Sequence, residues 1–500
     1  MSPRTAGILL VVFSLFSAVQ RWLHMQVPLL KVPFLAGNVA GYSLTALLLI
    51  VGIIWISKGV EWNFSPLTIK KLQRFRAIRR GYLAFIILLV LAGIASLDSL
   101  IVGKRAVMVS HEGKWSFPFV SEVIAGKSYG LAYDAETDYR ELQAKCRAEN
   151  KGNWVLMPLV PYAPSLDSPS TVESLETHDG KVFRTGKPFS GTAYSEFATH
   201  LDQKRQELQF RNGIRHGDFR GWNEAGEQVE KGRYENGQRV AYTDYSNGKA
   251  AALESQAAAE LKRLVYPPSP PSWRHRHYLG TNTTGVDVLA TLFGGWQQAL
   301  IASVLFVTVV FAAGVLIGGT LGYLGGVADI VGQRLIEIWS VLPFLFIVMI
   351  ISSLISPTLV VLVGILAAFG WMGTTAYLRT ATFKEKERDY VAAARLLGAS
   401  TPRIIFHHVL PNVIAILVTL APFEISGVIT ALAALDFLGF GLPPDEPSWG
   451  RLLHEGVDNF AYPWMVSSAF FAMATVLVLV TFVGEAVREA FDPKKFTTYE

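Results

Sequence analysis

Residues 388–412 read RDYVAAARLLGASTPRIIFHHVLPN and separate two long apolar runs. The alanine- and leucine-rich run 392–397 favours a helix, because these residues have high helix propensities. Gly398 is expected to break that helix, since glycine adopts turn conformations that other residues avoid. At Thr401 a hydroxyl precedes a proline, which is typical of a helix start. The stretch therefore predicts two short helices joined by a glycine turn, and we call this projection (residues 388–411) the knob.

The apolar runs on either side of the knob are 358–378 and 412–435. A bilayer core is about 30 Å thick, so a spanning helix needs roughly 20 mainly apolar residues, and both runs are long enough. The second knob helix is expected to stop at Leu410-Pro411, because proline disrupts a helix interior. The knob is thus predicted to connect two membrane spans.

Further apolar runs of spanning length lie outward from the knob, at 35–57, 82–102, 296–322, 335–355 and 464–484. The shorter run 6–19 fits a spanning helix or a cleaved signal peptide, since basic Arg4 precedes it but no clean A-x-A site follows. The sequence therefore predicts an all-α polytopic membrane protein. It would have six core spans and one or two extra N-terminal helices within residues 1–60.

Composition agrees with a membrane location. Of the 500 residues, 17% are charged and 51% are hydrophobic, whereas soluble domains carry about 25% charged residues. The formal net charge of +5 would suggest nucleic-acid binding in a soluble protein. In a membrane protein it reflects basic cytoplasmic loops, so no nucleic-acid partner is expected. A single cysteine, Cys146, can form neither an internal disulfide nor a cysteine-rich metal site.

The distribution of Lys and Arg predicts the orientation. Residues 58–80 contain seven basic residues and one acid, and such segments stay in the cytoplasm. We therefore expect 61–102 to hold a basic cytoplasmic segment and the first core span, and 103–295 to lie outside the cytoplasm. The loop 379–411 within the permease core 296–484 and the tail 485–500 should return to the cytoplasm.

The expected outside region contains a repeat. Asn212-Gly213 is followed after 24 residues by Asn236-Gly237, and then by Asn247-Gly248. Asn-Gly between aromatic or β-branched runs is a strong hairpin signal, because a type I′ turn needs positive φ at both central residues. Residues of about 178–250 resemble MORN-type repeats, which implies an inserted, mainly-β domain of stacked hairpins. It could be a purely structural insert or a docking surface.

The knob itself resembles the coupling loop of ABC importer permeases. That family pattern is E-A-A, three residues, Gly, then a distant hydrophobic-Leu-Pro. The matching residues here are Ala393, Ala394, Gly398, Leu410 and Pro411. The leading Glu is replaced by Ala392, a departure for which Arg388, Asp389 or Arg395 could compensate. The resemblance implies a type I ABC importer-like permease.

Other stretches resemble the peptide-importing branch of the same family. They are YLGTNTTGVDVLATLFGG at 278–295, LDFLGFGLPPDEPSWG at 435–450 and GEAVREAFDPKK at 484–495. HEGKWSFPF at 111–119 and PPSPPSW at 267–273 resemble the subgroup that takes up microcin C and related oligopeptides. Asn282, Val286 and Thr291 depart from the family pattern, which puts its salt bridges there in doubt.

These resemblances imply one half of a two-permease pore in a bacterial inner membrane. The implied partners are a second permease subunit, ABC ATPase subunits, an external solute-binding protein and membrane lipid. The sequence has no G-x-x-x-x-G-K-[ST] loop for nucleotide phosphates and no readable catalytic constellation. The chain is therefore expected to be no enzyme and to bind no cofactor, with ATP and Mg²⁺ on the ATPase.

Charged groups inside a membrane suggest function. Glu424 lies mid-span two residues after Pro422, so it could contact a peptide amine in the pathway, together with Trp371. Alternatively, Glu424 faces the helix bundle and bonds a neighbouring hydroxyl or the partner subunit. Glu337 is expected at a membrane interface. His407-His408 is not expected to bind metal, because adjacent residues face different sides of a helix.

Two other functions remain open at this stage. The chain could be a membrane-anchored interaction protein in which the hairpin repeats act and the spans only anchor them. An unrelated channel is a third possibility. Six core spans with a knob exceed what an anchor needs, which favours transport.

Overall fold

A computed structural model describes residues 66–491 with short gaps, and seven single positions before residue 66. The gaps are 97, 122, 132, 150–151, 166, 168–170, 185, 197–203, 224, 246–261, 266, 274 and 356. Apart from those single positions, the predicted spans 6–19 and 35–57 lie outside the described residues. So does the Asn247-Gly248 turn. The chain divides into two compact units, one formed by Met1–Asp167 with Pro270–Glu500 and the other by Ser168–Ser269.

Helices occupy each of the six predicted core runs. In the described part of the chain, four are long and apolar enough to cross a membrane: Val288–Leu324, Leu359–Glu385, Thr401–Phe437 and Pro463–Phe491. Two bent pairs bring the number to six if each pair is one span. The C-terminal region is therefore a helical membrane domain with four to six candidate spans.

The helices of the first unit are named in chain order. They are α1 (Pro66–Ala77), α2 (Arg79–Ser96), α3 (Asp98–Ile101), α4 (Tyr139–Glu149), α5 (Val288–Ala313), α6 (Gly319–Leu324), α7 (Gly326–Ser340), α8 (Phe344–Leu354), α9 (Leu359–Glu385), α10 (Asp389–Leu396), α11 (Thr401–Arg403), α12 (Leu410–Phe437), α13 (Trp449–Asp458) and α14 (Pro463–Phe491). Two π-helical segments, Gly314–Gly318 and Ile404–Val409, join α5 to α6 and α11 to α12.

The predicted span 335–355 is not a single helix. The run 335–355 is divided between α7 and α8, which meet at an angle of 65°. The break lies at 341–343, and Pro343 occupies the N-cap of α8. Proline has no amide hydrogen and crowds the preceding residue, so a helix usually ends before it. Mean hydropathy does not register this break, because apolar residues continue through it.

A stripe of glycines lets the first long helix approach α9 closely. Gly314, Gly318 and Gly322 recur every four residues and are all buried. A Cβ atom on Gly318 would lie 2.6 Å from the carbonyl oxygen of Thr375, and one on Gly322 2.5 Å from the carbonyl oxygen of Arg379. Membrane helices pack through such small residues because the backbones can then approach each other.

A small subdomain of the first unit, residues 102–167 and 270–287, lies between α3 and α5 in the chain. Its sheet has the order β2-β1-β3, from β1 (Met108–His111), β2 (Lys114–Ser116) and β3 (Trp154–Leu156). Helix α4 packs against one face of the sheet through a core that includes Val109, Leu142 and Val155.

A buried polar chain fixes where α5 begins. Asp287 caps the helix by accepting a hydrogen bond from the amide of Ala290 at 2.8 Å, and its other oxygen lies 2.8 Å from Nδ1 of His277. The ring of Tyr162 stacks on His277 with centroids 4.0 Å apart. Burial raises the pKa of Tyr162 to about 12, so its phenol stays protonated and donates to the carbonyl of His275.

The second unit is built from β-strands. They are β4 (Thr171–Ser174), β5 (Glu176–His178), β6 (Lys181–Arg184), β7 (Lys187–Pro188), β8 (Gly191–Glu196), β9 (Lys204–Arg211), β10 (Ile214–Trp222), β11 (Gln228–Glu235), β12 (Gln238–Asp244) and β13 (Lys262–Val265). Seven form an antiparallel sheet of order β12-β11-β10-β9-β8-β13-β4, and β5-β6-β7 form a second sheet. The region before the main membrane helices is therefore mainly β, as predicted.

The Asn-Gly turns have the predicted conformation. Asn212 and Gly213 have φ of 51° and 80°, and Asn236 and Gly237 have φ of 48° and 88°. Positive φ at both central residues is the requirement of a type I′ hairpin. The strands joined by these turns share a core of aliphatic and aromatic side chains that includes Phe210, Phe219 and Tyr234.

Candidate functional site: the knob between two membrane helices

The first knob helix and its turn follow the prediction with a shift. Helix α10 covers Asp389–Leu396, so it begins three residues before the predicted run. Gly398 has a φ of 78° with no atom within 4 Å of a Cβ built on it. The glycine is therefore required by backbone conformation and not by crowding.

The predicted start and end of the second knob helix need correction. Ser400, and not Thr401, is the N-cap residue, and it makes no side-chain capping hydrogen bond. The helix also does not stop at Leu410-Pro411, since Thr401–Phe437 is one continuous helix. A π-helical segment, Ile404–Val409, ends two residues before the proline, and such wide turns accommodate local disruption of the hydrogen-bond ladder.

The inner side of the knob is packed onto the ends of the membrane helices. Val391 and Ile404 are 0% and 1% exposed, and both belong to a core cluster with Leu378 of α9. The guanidinium of Arg395 donates to the hydroxyl of Tyr323 at 3.1 Å. The knob thus shares its core with the spans and cannot move independently of them.

Polar contacts tie the knob to the helices before and after it. The hydroxyl of Tyr390 donates to Glu385 at 2.8 Å and accepts from the side-chain amide of Asn412 at 3.1 Å. One knob residue therefore links the end of α9 to the start of α12. Beneath the knob, Arg379 forms a two-armed ion pair with Asp329 of α7.

The outer side of the knob is unusually apolar. Leu396 and Leu397, directly before the glycine turn, are 89% and 88% exposed. Sequence reasoning missed both leucines as site residues, although two adjacent leucines before a turn glycine in a basic loop are a visible signal. It also missed the anchoring role of Tyr390. Two almost fully exposed leucines at the end of a well-packed helix form a surface suited to contact with another protein.

The knob residues that match the family pattern, together with Ala392 and the three charged residues that could compensate for it, divide between the two sides of the knob. Arg388, Asp389, Ala392, Ala393, Arg395, Gly398 and Pro411 are exposed, whereas Ala394 is buried and Leu410 is half-buried. The exposed set carries charge and apolar surface, and the buried set attaches it to the membrane helices.

The proposed pathway residues do not form one cluster in the structure. Glu424 is half-buried and accepts a hydrogen bond from the hydroxyl of Thr374 at 3.0 Å. The indole of Trp371 donates to the carbonyl of Ala368 in its own helix at 2.9 Å. Pro422 instead lines an apolar cleft of about 790 Å³ between α2, α5, α12 and α14, whose lining includes neither Glu424 nor Trp371.

The other charged residue considered in the sequence analysis lies at the surface of the structure. Glu337 is exposed and pairs with Arg334 one turn earlier in α7. Such an exposed pair contributes little to stability, and a location of Glu337 at a membrane interface stays a prediction.

Comparison with known proteins identifies the family. Residues 314–497 match the family described as binding-protein-dependent transport system inner membrane component. The chain is 31% identical over 433 residues to the inner membrane ABC transporter permease protein YejE of Escherichia coli, covering 87% of this chain and 99% of that protein. It is 31% identical over 432 residues to the peptidoglycan transport system permease protein YejE of Agrobacterium fabrum, covering 86% and 94%.

A further relative is the oligopeptide transport system permease protein OppC of Mycobacterium bovis, 32% identical over 237 residues that cover 47% of this chain and 80% of that protein. Coverage of nearly the whole length of the two YejE proteins, together with the match of the knob and the helices around it, establishes the relationship. This chain belongs to the family of multi-pass inner-membrane permease subunits of ABC importers, non-catalytic components that bind no cofactor while ATP is bound by a separate ATPase.

Proposed function

We propose that this chain forms half of the translocation pathway for peptides or peptide-like solutes, and that the knob couples the pathway to an ATPase. Two of its relatives are named as permeases for peptidoglycan transport and oligopeptide transport, which supports this substrate class. Its partners would be a second permease subunit, ABC ATPase subunits and an extracytoplasmic solute-binding protein. The exposed surface of the knob carries both charged and apolar side chains, and such a surface can bind another protein.

The exposed pair Leu396-Leu397 is the observation that carries the coupling proposal. Both side chains are nearly fully accessible, yet the helix beneath them is fixed by the buried Val391 and Ala394. Apolar residues at this exposure are stabilised when a partner covers them. A well-packed helix that carries exposed leucines is the geometry expected of a loop that transmits force between proteins.

Force on the knob would reach both neighbouring spans at once. Tyr390 contacts Glu385 at the end of α9 and Asn412 at the start of α12. A displacement of the docked ATPase would therefore rock the two helices together as a rigid body, as alternating access requires.

A hydrogen bond inside the helix bundle connects the two spans on either side of the knob. The hydrogen bond between Thr374 and Glu424 joins α9 to α12 midway along their length. We propose that Glu424 and Trp371 line the pathway where these helices meet, with Glu424 offering an acceptor to a peptide amine when Thr374 releases it. Pro422 would shape the same stretch of α12.

The orientation follows from charge. The excess of Lys and Arg in 58–80 and in 379–411 supports placing both segments, and with them the knob, in the cytoplasm. The subdomain that begins at residue 103 and the unit Ser168–Ser269 would then lie outside, where a solute-binding protein could reach them.

The second unit is proposed to be an inserted MORN-type hairpin module. Its two type I′ turns are 24 residues apart and the strands they join contribute Phe210, Phe219 and Tyr234 to one core. Several stacked hairpins are stable where a single one is marginal. The regular spacing therefore supports a repeat, without indicating what the module binds.

The coupling proposal is tested by placing a charge on the knob. Leu397→Asp should lower uptake of a radiolabelled oligopeptide mixture by about tenfold or more, because a carboxylate is costly to bury in an apolar contact. Leu438→Asp is the matched control, since Leu438 is 51% exposed at the opposite end of α12, and it should transport normally. Normal uptake by Leu397→Asp at normal membrane levels would overturn the coupling role.

A further inference from the structure

The small sheet β2-β1-β3 has two faces of opposite character. Val109 and Val155 point into the core beneath α4 and are 0% and 7% exposed. Alternate residues of a strand point to the other face. The strand register places Trp115 and Trp154 on either side of Ser110, and these two indoles are 67% and 42% exposed.

The exposed face continues beyond the sheet. Leu156, the next outward residue of β3, is 50% exposed, and Leu159, three residues later, is 64% exposed. The hydroxyl of Tyr278 donates to the carbonyl of Leu159 at 3.4 Å. The ring of Trp273 meets Tyr278 edge-on at 5.0 Å between centroids and is 84% exposed.

We call this surface the aromatic strip, defined by Trp115, Trp154, Leu156, Leu159 and Trp273. Two of its members come from the motifs HEGKWSFPF (111–119) and PPSPPSW (267–273), which the transport mechanism does not use. Isolated exposed apolar residues are ordinary, but a contiguous set that includes three tryptophans indicates a surface with an occupant.

One end of the strip lies at the ends of the membrane helices. Val160, next to Leu159, pairs with Val102, which directly follows α3. Val102 and Val160 also share a buried cluster with Ala290 in the first turn of α5. The strip therefore starts next to the first turn of α5, where the candidate span Val288–Leu324 begins.

The composition of the strip is typical of the membrane–water interface. Tryptophan and tyrosine are enriched where hydrocarbon gives way to head groups, because their rings are apolar and carry a polar N–H or O–H. A partner protein would also cover apolar surface, but it would not need contact with the span ends. Continuity with the spans selects lipid as the occupant.

We propose that the aromatic strip rests in the lipid head-group region and holds the subdomain 102–167 and 270–287 down on the membrane surface. The sheet then has protein on one face and lipid on the other, with Trp115 and Trp154 as the outer contacts and Leu159 as the inner one. This proposal is independent of which side of the membrane the subdomain occupies.

The test measures lipid contact directly. An environment-sensitive fluorophore is attached to Leu159→Cys or to Trp154→Cys in the whole transporter, reconstituted in nanodiscs without its soluble binding protein. Arg147→Cys is the control, because Arg147 lies on the exposed side of α4, on the other side of the sheet. Native Cys146 is buried, and the chain without an added cysteine provides the labelling blank.

Lipids that carry a nitroxide on the head group should quench both strip positions at least about threefold more than the control position, since the strip lies within the interface. Quenching at Leu159 and Trp154 no greater than at Arg147 would overturn the proposal. Quenching at Leu159 alone would also overturn it, because the sheet face would then stand in water or against protein.

Discussion

The membrane helices with their knob and the hairpin unit Ser168–Ser269 achieve their folds by different means. The hairpin unit depends on local signals, with Asn-Gly turns that set the register of adjacent strands. The membrane unit depends on contacts distant in sequence, such as Gly318 against Thr375 and Arg379 with Asp329. A substitution that disrupts a hairpin turn should therefore disturb only the neighbouring strands. A substitution that disrupts a contact between membrane helices should disturb several spans.

The largest effect is expected where the long helices touch. In Gly318→Val the new side chain would collide with the Thr375 carbonyl, which a Cβ atom alone would approach to 2.6 Å. Overpacking of this kind costs about 1–3 kcal/mol or more, and a rigid backbone contact offers no relief. We expect little correctly assembled permease in detergent extracts, as measured by size-exclusion chromatography.

Gly364→Val supplies the matched control, because Gly364 is also in a membrane helix but a Cβ atom placed on it would have no neighbouring atom within 4 Å. It should assemble at wild-type levels. Equal assembly of both variants would show that the glycine stripe is not a close contact.

A smaller and more confined effect is expected in the hairpin unit. Gly213 has a φ of 80° and a Cβ there would lie 3.0 Å from the carbonyl oxygen of Val182. Gly213→Val should cost about 1–2 kcal/mol or more, since left-handed backbone is unfavourable for a residue with a Cβ. Hydrogen exchange of amides in 204–244 should accelerate while the membrane helices are unchanged. Gln238→Val at an exposed strand position should leave exchange unaltered.

The smallest effect on the membrane unit is expected from removing the hairpins altogether. Replacing about residues 178–250 by a short Gly/Ser bridge should leave insertion and assembly with the partner permease intact, because insertions are tolerated where few contacts cross their boundary. Transport could fall if the unit helps to receive the solute-binding protein. Co-purification with the partner permease measures the outcome, and loss of that assembly would make the repeats integral to the membrane fold.

The two regions also differ in how far sequence could predict them. Every apolar run in the described part contained a helix, and both described Asn-Gly turns were placed correctly, because length, hydropathy and turn chemistry are local properties. The break at 341–343 was missed because the apolar run continues through it. The helix through Pro411 was missed because the π-helical segment before it depends on tertiary packing.

The knob shows the same limit at the site. Gly398 could be recognised, since its backbone conformation excludes other residues. The direction of each side chain could not be predicted from sequence. The contacts of α10 with α9 and α12 determine that Ala394 is buried and Leu397 is exposed. The sequence identified the loop, and the structure shows which of its side chains are exposed.

Contact between the tip of the knob and the ATPase can be measured by cross-linking. A photoreactive group on Leu397→Cys in the purified transporter should attach to the ATPase subunit in high yield. The same group on Leu438→Cys should give none. Cross-links from position 397 only to lipid or to the permease itself, in a complex that still contains the ATPase, would show that the tip of the knob does not contact the ATPase.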